Sequence, residues 1–301
     1  MNDAIQHARE VALGILQPSQ AEIEHGLELH RQAVVCESYG LGLRAAIDAA
    51  RVADAIEAGA SALEIQDLTE EMAMTRCVTD PAERAEYQAA WEASGVTCTL
   101  QNAGEEGNAP LRLIKRLARH THVTDMIPEV LARAATPEDI QRAKREGRHC
   151  LYMTGNGVPL PQDWVSVEEE LRYIRVFFQL GVRMMHLTYN RRNMIGDGCA
   201  EPANAGLSDF GRAVVKEMNR VGVIVDVAHS GWQTGLDAAR VSDRPVVVSH
   251  SAAWALNQHH RCKPDDVIRA VVETGGTMGI TNVPAFLGGQ GDISALLDHV
   301  D

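Results

Sequence analysis

Two histidines occupy matching places after consecutive apolar runs: His229 follows VIVDVA (223–228) and His250 follows PVVVS (245–249). Short runs of Val and Ile of this kind read as buried strands. Neighbouring strands lie about 4.8 Å apart, so two imidazoles leaving adjacent strand ends can converge on one ion at the roughly 2.0–2.1 Å of a Zn–N bond. For either ring alone a hydrogen bond to a loop carbonyl is as good an explanation; the matched pair favours a metal. Asp226, three residues before His229, is placed to orient a ligand as an acceptor behind it. Asp197 and Glu201, in the loop MIGDGCAEPANAG (194–206), could complete the ligand set, although solvated acids on a loop are the ordinary case. The YNRRN segment (189–193) could hold an acidic substrate or be a loop pinned by ion pairs. His120 and His122, in RHTHV (119–123), have a strand-like spacing, interrupt a helical segment and are expected to face solvent.

Such side chains need rigid elements beneath them. From about Gly147 onward, short β-branched runs alternate with longer segments of helical period, the pattern of parallel strands joined by crossover helices. CLYMT (150–154), RMMHLT (183–188), VIVDVA, PVVVS and TMGITNV (277–283) are the strands. VEEELRYIRVFFQL (167–180), WQTGLDAARV, PDDVIRAVVET and DISALLDHV are helices. Ser208 can cap a further helix in which Phe210, Val214, Met218 and Val221 repeat at helical spacing, with Gly222 where a left-handed C-terminal cap is wanted. AVVCES (33–38) and VTCTLQ (96–101) are earlier strands, separated by helical stretches such as 42–75 and 109–134. The expected fold class is therefore α/β, a parallel (β/α)8 TIM-type barrel. It would be one domain over 1–301 with an N-terminal helical extension over about 1–30. A closed barrel needs eight strands, and this reading counts seven before Asp301, so the eighth strand is expected to be missing by truncation.

The chain has 301 residues and a net charge of −13, which disfavours nucleic acid or an anionic membrane surface and suits a small-molecule or peptide substrate. No GxGxxG or P-loop pattern points to a nucleotide. Six cysteines without a CxxC pair exclude a zinc ribbon or a thioredoxin-like motif and read as free thiols in a reducing compartment. The first residues, MNDAIQHAREVALGIL, carry charges through an amphipathic helix rather than a secretory signal, and no run approaches the ~20 apolar residues of a membrane span. A cytoplasmic protein is expected.

GLSDFGRAVVKEMNRVGVIVDVAH (206–229) followed by RPVVVSHSAAW (244–254) resembles the renal (membrane) dipeptidase family of zinc hydrolases, with the same order of GLS-x-FG helix, Asn-Arg-x-Gly turn, Asp-x-x-His strand end and Ser-His-Ser strand end. The likeness is carried from Leu180 to about Asp266. It implies cleavage of dipeptides by a metal-activated water, with His229 and His250 as zinc ligands of a one- or two-ion site. It also implies Arg261 as the group that binds the substrate's free carboxylate, a task for which a planar guanidinium fork is suited, and a homodimer. The sequence departs from the family at several points. VVCESYGLG (34–42) stands where the family has His-x-Asp, leaving Cys36 and Glu37 as substitute donors; Gly155 or Asn156 stands where it has a bridging Glu. Tyr189 replaces the histidine that steadies the tetrahedral intermediate, and a phenol could still serve there as the catalytic oxyanion donor. The family's catalytic Asp, on the eighth strand, has no counterpart. These departures leave open a non-catalytic barrel paralogue with a degenerate site, or a hydrolase of another small amide.

Overall fold

The computed structural model of the chain describes residues 3–104 and 110–301. Eight strands alternate with helices: β1 (Cys36–Gly40), β2 (Cys98–Asn102), β3 (Leu131–Ala134), β4 (His149–Gly155), β5 (Met184–His186), β6 (Ile224–Asp226), β7 (Val246–Ser251) and β8 (Met278–Ile280). The paired strands run parallel, and the sheet follows the order β1-β2-β4-β5-β6-β7-β8, with β3 beside this path on β4. The fold is an α/β barrel of the TIM type. The seven strands of the path are the seven runs read from the sequence. β3 is an eighth strand, so the expectation that the eighth strand is missing does not hold, nor does that of unbroken helix over 109–134: the helix ends at Met126, just before Pro128, whose ring disfavours helical backbone in the residue preceding it. The stretch 42–75 likewise divides. Helix Ala49–Glu57 stops before Gly59, which has φ of 84°, and Ser61 opens the next helix, Ala62–Thr79, through a reciprocal capping box with Glu64.

The described residues group into two compact units, residues 30–103 with 111–152, and residues 3–29 with 104, 110 and 153–301. In the first, Cys98, Ala134, Ala143 and Cys150 form a buried core under Leu100, Ile140 and Tyr152. Its helices Ala62–Thr79 and Pro110–Met126 are joined by the largely buried Arg119, which pairs with Asp67, Glu70 and Glu71.

The second unit carries β5 to β8 and the end of β4. Ile174 and Phe177 of helix Val167–Gln179, and Val214, Val215 and Met218 of helix Asp209–Val221, are buried with Met184, Met185, Val225, Val246 and Val248 of the strands. The second of these helices begins where its sequence says it should. Ser208 is extended, accepts the Gly211 N–H at 2.9 Å and donates its hydroxyl to Met194 O at 2.6 Å. It ends at Gly222, whose φ of 97° suits a residue without a Cβ. This rigid frame fixes β6, which follows directly, and so fixes the residues at its end.

Ser208→Ala should destabilise the protein by about 1 kcal/mol, within the ~0.5–2 kcal/mol typical of a lost N-cap, read from urea unfolding. An unchanged midpoint would mean that the helix start is held by other contacts.

Candidate metal centre

β5 and β6 pair so that His186 stands opposite Asp226. Both are buried, at 1% and 0% exposure. Asp226 Oδ1 accepts the N–H groups of Ala228 (2.9 Å) and Ser249 (3.2 Å), which tie the end of β6 to β7. Oδ2 lies 2.7 Å from His186 Nε2 in a close contact that lacks the alignment of a hydrogen bond, and no hydrogen bond reaches this oxygen. Burial alone would raise the pKa of this carboxyl; the neighbouring His186 and His250, with Ser249, outweigh burial and hold it well below the usual carboxylate range.

His250, on β7, turns its Nε2 to within 2.9 Å of His229 Nε2, while its Nδ1 meets Ser249 Oγ at 2.8 Å. His229 Nδ1 lies 2.8 Å from Asn190 Oδ1. An amide oxygen only accepts, so Nδ1 carries the proton and Nε2 presents its lone pair to the centre. Burial, then the charge of His186, lowers the pKa of both rings, that of His250 to about 2 and that of His229 further, with Arg261 and Lys263 adding to the effect. Both are therefore neutral imidazoles, the ligating form.

His186, Asp226 and His250 offer ligand atoms that all lie within 4.8 Å of one another, the group among the described residues able to hold a metal ion. Two imidazoles and a carboxylate are a donor set that zinc accepts. The buried Asp226 Oδ2 supplies the test of fit. A charged oxygen without a hydrogen bond in the interior is costly, and a bound cation would offset that cost.

Of the residues expected from the sequence, the structure brings His229, His250, Tyr189 and Arg261 together. The Tyr189 ring stacks on His229 at 4.1 Å and 17°. Arg261, 3% exposed, donates from Nη1 to Ala228 O and from Nη2 to His250 O (3.3 Å), with Nη2 also 3.3 Å from His229 Nε2. Lys263 is fully buried, donates to Ser230 O at 2.7 Å, and is lowered to a pKa of about 7 by burial and then by Arg261. Asp197 and Glu201 are not in the ligand group. Asp197 pairs with Arg192 Nε at 2.5 Å and accepts the Ala205 N–H, and Glu201 accepts the Arg192 N–H, so YNRRN is a loop pinned by ion pairs. Cys36 and Glu37 belong to the other compact unit, and Gly155 ends β4 without a side chain. His120 does not interrupt a helix or face solvent: it lies within helix Pro110–Met126, lines a small cavity of about 60 Å³ with Arg44, Glu70 and Arg116, and is lowered to a pKa of about 4 by burial.

Sequence reasoning passed over His186 and gave Asp226 only a supporting place. The available signal was a polar residue inside an otherwise apolar strand, in MMH and in IVD. Such residues need a partner in the interior.

Parallel β/α strands with buried imidazoles and a carboxylate at their C-terminal ends are the arrangement of a TIM-type barrel with a metallo-hydrolase-like fold. The family model described as membrane dipeptidase (peptidase family M19) matches residues 82–301, and the chain belongs to that family. Its fold is similar to that of an amidohydrolase from Pseudomonas aeruginosa, with 24% identity, a TM-score of 0.63, and coverage of 91% of this chain and 73% of that one. It is also similar to the probable dipeptidase PvdM from the same organism, with 24% identity, a TM-score of 0.60 and coverage of 66% and 54%. A metallo peptidase from Rhodobacter sphaeroides, liganded with a phosphinate mimic of the dipeptide L-Ala-D-Ala, matches at 21% identity and a TM-score of 0.57, over 72% and 64%. The chain thus spans 54% to 73% of the lengths of these three proteins. Among the described residues no helix is long and apolar enough to cross a membrane.

The lowered imidazole pKa values set a pH dependence. An unfolded His titrates near ~6.5, whereas His250 in the fold titrates at about 2. The unfolded chain then binds more protons as pH falls below ~6.5, so stability is greatest above that value and declines beneath it. Chelator-treated protein should lose urea resistance between pH 7 and 5, and His250→Gln should flatten the decline. A wild-type midpoint constant over that interval would contradict neutral burial.

Proposed function

We propose that this protein is a metal-dependent hydrolase of the dipeptidase type, cleaving the amide bond of small peptides. The observation that carries the reading is the buried, ionised Asp226 with one oxygen lacking a hydrogen bond, grouped with the ring of His186 and the neutral imidazole of His250. His186, Asp226 and His250 would hold a zinc ion, and His229, whose Nε2 stands 2.9 Å from that of His250, would be a further ligand. When bound, zinc supplies a water of lowered pKa and polarises the carbonyl under attack. The chain's own residues do the rest. Asn190 fixes the His229 tautomer, and Ser249 engages the distal nitrogen of His250. Tyr189, stacked on His229, brings a phenol to the edge of the centre, where it can donate to the developing oxyanion. Arg261 and Lys263 keep the surroundings positive, which favours an anionic peptide terminus, and Arg261 is the group proposed to bind the carboxylate.

A second reading has its own support. The Arg261 fork is engaged with the carbonyls of Ala228 and His250, and β4 ends in Gly155 rather than in a carboxylate. On that reading the chain is a non-catalytic paralogue in which Arg261 binds the strand ends together. Metal analysis followed by dipeptide hydrolysis with and without chelator separates the two: the hydrolase reading expects turnover that chelator abolishes and zinc restores. Protein that binds zinc and never turns over supports the paralogue. The proposed cytoplasmic homodimer is checked by fractionation and by mass in solution, where monomer alone would refute the dimer.

His250→Ala should reduce bound zinc and abolish activity together, because it removes a ligand. Arg261→Ala should leave zinc bound but weaken peptides with a free C-terminal carboxylate by roughly 2–5 kcal/mol, as expected for a buried charge pair, and barely affect C-terminally amidated peptides. Equal loss on both substrates would assign Arg261 to the strand ends instead.

A further inference from the structure

Away from the metal centre, three thiols follow one another across the strands of the first unit. Cys36 of β1 is the register partner of Cys98 of β2, and Cys98 in turn shares a buried core with Cys150 of β4. Register partners on neighbouring parallel strands are separated by about the ~4.8 Å strand spacing, inside the roughly 4.4–6.8 Å Cα separation that a disulfide spans. The members of the pair differ in access: Cys36 is exposed, whereas Cys98 and Cys150 are at 0% exposure. All six cysteines are free.

The chemistry of the six differs in the same sense. The neighbouring Cys98 thiol lowers the Cys36 pKa to about 7. Burial raises those of Cys77, Cys199 and Cys262. Cys98 is also raised, by Cys150 first and then by Cys36. A thiolate that solvent can reach is attacked first by a dissolved oxidant, while a buried thiol is shielded from it and reacts only with a group already against it. Cys150 turns its Sγ to Thr97 O at 3.5 Å and has no exposed surface. Neither Cys36 nor Cys98 is in the metal-holding group.

We propose that Cys36 and Cys98 form a peroxide-reactive thiol pair, a site of reversible oxidation at which Cys36 is the attacked sulfur and Cys98 the resolving one. In the first step the Cys36 thiolate attacks one oxygen of a hydroperoxide. The S–O bond forms as the O–O bond breaks, giving a sulfenic acid and, after the departing oxygen takes a proton, water or an alcohol. In the second, Cys98 sulfur attacks the Cys36 sulfenic sulfur. The disulfide forms, and the hydroxyl leaves as water with the Cys98 proton. The two sulfurs together give up two electrons and the peroxide accepts them. A dithiol reductant reverses the bond. The product staples β1 to β2 through residues already in register.

The full chain, treated with a slight excess of hydrogen peroxide and quenched with a thiol-blocking reagent, tests this. The expected result is loss of two of the six thiols and a non-reducing tryptic map in which peptide 32–44 is joined to peptide 85–112. The link should disappear on reduction, and the intact mass before blocking should fall by about 2 Da, for the two hydrogens removed. Cys98→Ser should abolish the link and leave Cys36 as a sulfenic acid that dimedone traps, while Cys36→Ser should leave Cys98 unmodified. Oxidation of other cysteines before Cys36, or a Cys36 bond to any partner other than Cys98 of the same chain, would overturn the proposal. The wild-type map decides this even if a serine variant folds poorly.

Discussion

Burial of the Asp226 carboxylate is the constraint around which the second unit is arranged. A charged group with no exposed surface can persist only if its surroundings compensate it. One oxygen is compensated by two backbone N–H groups, and this fastens the end of β6 to β7. The other is met from β5 by His186, in register across the ladder. The same residue therefore sets the spacing of three strand ends and leaves one oxygen facing the place where their imidazoles converge.

The electrostatics around that point pull in a consistent direction. Burial and nearby cations keep His229 and His250 neutral, while the imidazoles around Asp226 keep it ionised. Neutral nitrogens beside an anionic oxygen are the protonation states that metal ligation requires. Arg261 and Lys263, with 3% and 0% exposure, add positive charge just outside the ligand group and hold the strand-end carbonyls of Ala228, His250 and Ser230. A buried arginine and lysine next to a cation site would repel the ion unless an anion shared the space. Asp226 supplies one negative charge, and an anionic peptide terminus would supply another.

Much of this organisation was legible in the sequence, for identifiable reasons. The runs at 223–228 and 245–249 are rich in β-branched residues, and the helix between Ser208 and Gly222 carries both of its caps in its sequence. The pairing of His229 with His250 follows from their equivalent positions after those runs. β3 escaped because LARA has neither β-branched residues nor a period-2 apolar pattern, and only Pro128 marks the end of the helix before it. His186 escaped because an isolated histidine in a strand does not reveal which residue lies across the ladder. That neighbour, Asp226, is forty residues away, and only the β5–β6 register brings the two into contact. Asp197 and Glu201, attractive as loop carboxylates, are engaged instead by Arg192, a choice between neighbours that spacing alone does not make.

The central claim is that a divalent metal seats against Asp226 between His186 and His250. Crystals grown with zinc, with diffraction recorded on both sides of the zinc absorption edge, test it most directly. The account predicts an anomalous peak at about 2.0–2.2 Å from an Asp226 carboxylate oxygen and from a ring nitrogen of each of His186 and His250. A zinc-containing crystal with no peak there, or with the ion held by other side chains while Asp226 forms an aligned hydrogen bond with His186, would contradict it.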